Sequence, residues 1–527
     1  MRTPCETVRR SSPATEPCEA AARPWILTAT ILASSMAFID STAINVALPA
    51  LQKSLHGTVV DVQWVVESYG LFLGALILVG GTLGDVLGRR LIFVAGTILF
   101  AVASVACAAA PSIQILIAAR SIQGIGAALL VPGSLAIIST SFDETSRGEA
   151  IGTWSGWTAI TTAVGPVLGG WLVEHASWHW VFIINIPLAA AVVVLSLWHI
   201  PESRSAIESR VDWSGALLAT AGLGGLVFGF IESTSLGWKN PLVSGSMIGA
   251  VVLLLGFVAL ETRSPSPMVP VALFRNANFG GANLVTLLLY ASIGGFFFFL
   301  PLNLIQVQQY SATAAGAAML PMILLIFLLS RRSGGLVARY GAKTPLIVGS
   351  LVVTLGFVLF VIPSVGADYW KSFFPALTIL GLGMAMIVAP LTTDVMNAVE
   401  EDRVGTASGI NNAVARVAGV LGIAVLGIVM VLAFRARLDR ALDHLSLPSG
   451  ALLEIHAQQS RLADLQPPAS LDASTRAAIA DLTRLGFVSG FRIVMAICAG
   501  LSLASALVAL IMVPGAGEPH RRGFSNH

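Results

Sequence analysis

Residues 81–90 read GTLGDVLGRR, and residues 334–343 read GGLVARYGAK. Gly81, Leu83, Gly88 and Arg90 of the first stretch correspond to Gly334, Leu336, Gly341 and Lys343 of the second. Each stretch follows one long apolar run and precedes another, so a helix–loop–helix unit occurs twice in the chain. The spacing then decides the architecture. The copies lie 253 residues apart (334 less 81), whereas six membrane-crossing helices with short loops need roughly 180 residues. The surplus is about the length of two more helices and their connections. The pattern therefore predicts two six-helix halves with a helical pair inserted between them.

Composition agrees with a membrane setting. The chain has 527 residues, 55% of them hydrophobic and 11% charged, with a mean hydropathy of +0.83. A soluble domain is about 25% charged, so this reads as an all-α integral membrane protein. Runs of about 20 apolar residues cross a bilayer as helices, and fourteen such runs can be marked. In the first half they cover 25–48, 62–82, 91–110, 113–139, 150–172 and 180–200. The inserted pair covers 212–231 and 241–260. The second half covers 279–306, 313–330, 345–363, 371–393, 404–433 and 487–513.

The division that follows has an N-terminal tail at 1–23, a six-helix bundle at 24–200 and a linker with the inserted pair at 201–270. A second bundle occupies 271–513, and a C-terminal tail 514–527. Most lysines and arginines sit in the tails and in every second loop, which predicts a cytoplasmic location for both termini in the cell membrane. The first run is too long for a signal-peptide core. The polar, partly helical stretch 434–486 is then expected outside, as a lid or solvated hairpin.

Several function classes are excluded. A net charge of +2 argues neither for a nucleic-acid partner nor for an acidic one, and no nucleic acid is expected. Cys5, Cys18, Cys107 and Cys498 lack the spacing of a disulfide framework or a zinc site. The chain has no G-x-x-x-x-G-K-[ST] loop for ATP. Its eight histidines are scattered, and no nucleophile–base pairing is evident. No enzyme, metal or cofactor is expected; the partners are the lipid bilayer, protons and a small molecule, with the protein as a monomer.

Ionisable residues inside the apolar runs carry the functional signal, because a charge in hydrocarbon is costly and usually faces a cavity. Asp40, Glu67 and Arg120 come from three different helices and lie roughly 8–13 Å below the outer surface by helix rise. An arginine there holds a carboxylate ionised while burial favours its neutral form. Such a set suits proton loading and release, and it equally suits a static ion pair that fixes helix packing. Glu67 is shallow enough to be wet. Arg416 has no acid at its depth, leaving a hydrated cavity or backbone carbonyls as its surroundings. Arg492 is expected to snorkel and Asp394 to be solvated. Tyr69, Gln123, Tyr290, the run Phe296 to Phe299, Asn303, Gln306, Asn411 and Asn412 offer aromatic surface with sparse polar groups, and with Arg416 they form the expected substrate lining.

Three local motifs complete the pattern. The 81–90 loop sets Asp85 where it can meet the N-terminal end of a neighbouring helix, with Arg89 and Arg90 at the cytoplasmic surface. The fourth run contains LIAARSIQGIGAALL with Arg120, Gln123 and Gly126, and the fifth contains GPVLGG from Gly165 to Gly170. Together with DSTAINVALP (Asp40 to Pro49), QWVVESY (Gln63 to Tyr69), WHWVFIINIP (Trp178 to Pro187), DWSGALL from Asp212, PLNLIQVQQYSATAAGAAMLP from Pro301, APLTTDVMNAV from Ala389 and GTASGINNAVARVAGVLG from Gly405, these motifs make the chain resemble the major facilitator superfamily. Within it, the resemblance is to fourteen-helix drug:proton antiporters of the EmrB/QacA type, over residues 25–433 and the last run.

The resemblance implies alternating access driven by the proton gradient, with efflux of drugs or of an endogenous product. A non-transporting sensor or scaffold is the rival from another class. It further implies that Gly81, Asp85, Gly88, Arg89 and Arg90 act in the conformational switch, that Arg120 takes part in proton coupling, and that Gly165, Pro166, Gly169 and Gly170 mark an exporter. The chain departs from the family pattern at Thr161, where a glycine is usual, at His179, where an arginine is usual, and at Ala338, which removes the acid from the second loop copy.

Overall fold

A computed structural model describes residues 21–204, 211–264, 267–399, 403–445 and 447–515. Cys5, Cys18 and nearly all of both predicted tails lie outside the described residues, as do the side chains of 334–339, Ala338 among them. Among the described residues the secondary structure is helical. The first half contains α1 (Arg23–Ser54), α2 (Val59–Leu87), α3 (Arg89–Ala108), α4 (Ile113–Ser141), α5 (Glu144–His175), α6 (Trp180–Ile183) and α7 (Asn185–His199). The inserted pair is α8 (Trp213–Leu236) and α9 (Pro241–Glu261). The second half contains α10 (Ala277–Leu302), α11 (Ala312–Ala318), α12 (Leu320–Tyr340), α13 (Lys343–Leu359), α14 (Phe374–Asn397), α15 (Val404–Leu442), α16 (Ser449–Gln458) and α17 (Ala473–Met512). Among the described residues, twelve segments are long and apolar enough to cross a membrane, and α13 is a shorter apolar helix.

Local chemistry sets the helix starts. Thr58 and Asp61 form a reciprocal capping box at α2, which satisfies amides that the first turn leaves without partners. Ser112 caps α4, Asp143 caps α5 and Asp472 caps α17. Asp472 is held below the usual carboxylate range by hydrogen bonds from Ser474 and Thr475. The repeated loop shows in the backbone as well. Gly88, between α2 and α3, and Gly341, between α12 and α13, both take positive φ, 128° and 70°. Side chains with a Cβ are strained there, so the two corresponding glycines do the same work in both halves.

Packing follows the chain order. In the first half α2 lies along α4, α3 along α4, and α1 along α5 and α7; in the second, α10 lies along α15 and α17, and α13 along α14. The inserted α8–α9 hairpin sits on the flank against α2 and α15. There the Trp64 indole donates to Glu232 at 2.9 Å. The two halves meet along a seam formed chiefly by α2 with α15 and α5 with α11.

The stretch 434–486 is not a solvated hairpin. Helix α15 continues to Leu442, with Phe434, Leu438 and Leu442 buried, and α17 already begins at Ala473. Between them α16 and the turn 459–464 fold back, burying Ile455 and Leu462. Burial also raises the Asp464 carboxyl above its ordinary range. The predicted sixth run is interrupted at Ile184, so that α7 starts at Asn185.

Candidate functional site

Asp40 on α1 and Arg120 on α4 form an ion pair, Nη1 to Oδ2, at 2.5 Å, and both side chains are fully buried. Arg120 Nη1 also donates to Gln123 Oε1 at 2.6 Å, and its Nε to the Val65 carbonyl at 3.1 Å. Its guanidinium lies over the Tyr69 ring, 4.3 Å from the centroid. The other Asp40 oxygen accepts from Gln123 Nε2 at 2.9 Å and Asn185 Nδ2 at 3.1 Å. Both amides donate to Ser104 as well, at 2.9 and 3.3 Å. A buried pair survives only when its remaining donors and acceptors are also met. Four helices supply partners here, and among the described residues only Arg120 Nη2 of the pair is left without one.

Sequence reading brought Asp40 and Arg120 together and missed Asn185 and Ser104. Asn185 stands within the quoted 178–187 stretch, where a lone polar side chain in an apolar run was the available signal. Gln123, expected against substrate, is fully buried in the ion-pair network instead. Glu67, expected to be wet, is fully buried, and neither carboxyl oxygen has a hydrogen-bond partner among the described residues. It lies on the face of α2 that carries Gln63 and Gly70, both of which abut α15.

The seam is closed at the end of the molecule that carries Ser112. Gln63 Nε2 donates to the Ile423 carbonyl at 3.3 Å, and Gln306 Nε2 to Gln52 Oε1 at 3.0 Å. The Thr313 amide donates to Glu174 at 3.1 Å, and Gln52 Nε2 to the Arg461 carbonyl at 3.2 Å. The GPVLGG run lies within this closure. A methyl group at Gly169 would come within 2.7 Å of Ala43 on α1. One at Gly170 or at Gly316 would strike the facing backbone, the Ala312 and Pro166 carbonyls respectively. Here glycine is needed for close helix approach rather than for its φ.

At the opposite end, Asp85 pairs with Arg89 at 2.7 Å, one turn away. The acid that meets the α3 N-terminus is Glu202, which accepts from the Arg90 and Leu91 amides, each at 3.1 Å. A Cβ at Gly88 would strike the same carboxylate, and Arg90 donates to the Ile200 carbonyl at 3.0 Å. Gly81 has open space around it apart from Pro132 at 3.8 Å. Expectation and structure thus differ in which carboxylate takes the helix end.

The remaining lining residues separate. Arg416 lies over the Phe38 ring, 5.4 Å from the centroid, and Tyr290 is half-buried on α10. Asn411 is occupied by Asn283 and Thr286, whereas Asn412 is exposed. Asn303 is buried beside Gln308, and Phe296, Phe298 and Phe299 are buried in the core of the second half. Arg492 donates to the Ile362 and Pro363 carbonyls, in the turn past the end of α13. Asp394 is not solvated; it is buried and accepts from Asn278.

Comparison with known proteins places this geometry. The chain is 32% identical over 93% of its length, and 90% of the relative's, to the multidrug resistance protein Stp of Mycobacterium tuberculosis. It is 30% identical over 93% of its length, and 91% of the relative's, to the tetracenomycin C resistance and export protein of Streptomyces glaucescens. Among solved structures, the POT family transporter PepTSo matches with a TM-score of 0.63 at 14% identity, covering 94% of this chain and 98% of that one. An inward-facing bacterial homolog of the human lysosomal transporter Spinster matches with a TM-score of 0.61 at 17% identity, covering 93% and 98%. At those identities the structures establish the fold alone. Residues 30–423 match the model of the Major Facilitator Superfamily, and the chain belongs to that family of multi-pass membrane transporters, which are not enzymes.

Proposed function

We propose that this protein exports amphipathic small molecules across the cell membrane by alternating access, driven by protons that load at Asp40. The observation that carries the reading is the buried Asp40–Arg120 pair on a helix that also lines the seam. Phe38 and Thr42 are one turn apart on α1; Phe38 meets Arg416 on α15, and Thr42 backs Gly165 on α5. Asp40 points the other way, into the first half. Protonating Asp40 removes the charge that Arg120 pairs with, frees α1 to shift, and so links proton binding to the seam. The names of the relatives, multidrug resistance and antibiotic export, support outward movement. Export of an endogenous product is the nearest alternative.

In this reading α5, 32 residues long, and α13 also cross the bilayer, giving fourteen spans. The domain division is the one drawn from the repeat, and both termini are cytoplasmic. The Ser112 end then faces outward, and its four cross-seam hydrogen bonds describe a state closed to the outside. The Asp85–Arg89 pair and the Glu202 cap belong to the cytoplasmic switch, and the GPVLGG run is the outer seal. The protein works as a monomer without ATP. The test is purified protein in liposomes: an imposed pH gradient should drive accumulation of an amphipathic dye. Dye binding without gradient-driven movement would favour a sensor or scaffold and sink the proposal.

A further inference from the structure

Arg416 is the cation for which the export reading supplies no role. Its Cβ lies 3.1 Å from the position a Cβ would take at Gly74, near the middle of the 29 residues of α2. That places it at mid-membrane, on the seam, where transporters of this build hold their cargo. The side chain is half-buried, and its guanidinium meets the Phe38 ring of the opposite half. Among the described residues it makes no ion pair. Tyr290 lies on α10 between Thr286, which Asn411 meets, and Gly294, which abuts Gly419, so aromatic groups from α1 and α10 stand at its level.

The acids on the packed helices leave this guanidinium unneutralised. Asp40 is consumed by Arg120, Gln123 and Asn185. Glu67 is about 10 Å further along α2 by helix rise and is fully buried. Glu232 on α8 is held by Trp64 and Ser235. Helix α10 has no acid in its sequence, and α15 has none before Asp439. Asn412, one turn before Arg416 and exposed, shares its face of α15.

A charge at membrane depth marks a substrate path. A planar guanidinium both forks onto a carboxylate and stacks on aromatic faces. On the proposed export function, which this inference deepens, we propose that Arg416 recognises the cargo, and that the cargo is an amphipathic aromatic acid, carrying a carboxylate or an ionised phenol, rather than a lipophilic cation. The rings of Phe38 and Tyr290 take the flat hydrophobic body, and Arg416 with Asn412 takes the anionic edge.

Two dyes with the same xanthene ring system test this on the purified full-length protein. Fluorescein carries a carboxylate and an ionised phenol; rhodamine 123 is a cation. Equilibrium binding without any gradient should favour fluorescein. Arg416→Ala should weaken fluorescein binding by about tenfold or more, the scale of a charge-assisted hydrogen bond, and leave rhodamine 123 unweakened. Arg416→Lys should fall between, because it keeps charge without the fork. A variant that weakens both dyes equally, or wild type that binds rhodamine 123 and not fluorescein, overturns the inference. Absence of binding by either dye overturns it too. Arg416-dependent fluorescein binding that no pH gradient converts into movement would leave this inference standing and defeat the proton-driven export reading.

Discussion

The two halves share a loop and a helical layout but fill their interiors with opposite chemistry. The centre of the first half is polar: Asp40, Arg120, Gln123, Asn185 and Ser104 form one buried network. The corresponding depth of the second half is aromatic. Phe360 is fully buried, with ring centroids of Phe296, Phe373 and Phe491 within 5.1, 6.4 and 6.5 Å. The polar links beside it on α10 are uncharged, such as Asn411 to Thr286 at 2.7 Å, and the buried acid of this half, Asp394, lies near the far end of α14. An ionisable network changes its bonding when a proton arrives, whereas a phenylalanine cluster does not. The contrast points to one half that responds to protons and one that serves as a stiff counterpart, with the seam between them carrying the motion.

The sharpest way to break that contrast is Asp40→Asn. It preserves shape and leaves Arg120 as a buried charge without its counter-ion, which costs about 3–5 kcal/mol of stability. Gradient-driven accumulation should be abolished in the protein that remains folded in the membrane. Undiminished accumulation would remove Asp40 from the mechanism and, with it, the assignment of proton chemistry to the first half.

Glu67 tests whether the seam holds a second proton. An ionised carboxyl with no partner in a dry seam is far costlier than a protonated one, so Glu67 is expected to carry a proton in this closed state. Its release would follow when α2 and α15 part. Glu67→Gln then removes one charge per cycle whatever the cargo. One charge across 100 mV is worth about 2.3 kcal/mol, so accumulation under an imposed 100 mV without a pH difference should fall by roughly 50-fold. An unchanged voltage response would make Glu67 a packing residue.

Phe360→Ala probes the other side of the comparison. Truncating a buried phenylalanine costs about 3–5 kcal/mol, similar to the Asp40 change. The melting temperature should therefore drop comparably in the two variants. Transport per folded molecule, and its dependence on pH, should nevertheless stay near wild type for Phe360→Ala. If coupling is lost as completely as in Asp40→Asn, the division of labour between the halves is wrong.

How far sequence reached into this structure depended on the kind of signal. The repeat, the apolar runs and the Asp40–Arg120 pair were legible because each departs sharply from an apolar background. Asn185 and Ser104 were not, since single neutral polar residues are common in membrane helices and only the fold ranks them. Glu202 lies 112 residues from the Arg90 amide it caps, a pairing no local pattern expresses. Glu67 was misjudged because depth along a helix says nothing about what covers its side. The choice between lid and hairpin at 434–486 had a visible pointer: Phe434, Leu438 and Leu442 recur every four residues, the period of a helix with one buried face.

That folded-back segment yields the smallest predicted effect. Replacing residues 447–470 with a short Gly/Ser linker removes the packing of Ile455 and Leu462 and the bond from Gln52 to the Arg461 carbonyl. Of the four hydrogen bonds that close the Ser112 end, only this one is lost, and a net hydrogen bond is worth about 0.5–1.5 kcal/mol. The closed state should lose between roughly twofold and tenfold of its advantage, while the proton network stays intact. A cysteine placed at Leu55 should then react faster with a membrane-impermeant maleimide added from outside. Gradient-driven transport should change by no more than a few-fold, since the remaining three bonds and the glycine-packed α5–α11 contact still close the seam. Complete loss of transport at normal membrane abundance would mean that the folded-back cap, rather than the seam beneath it, holds the outer end shut.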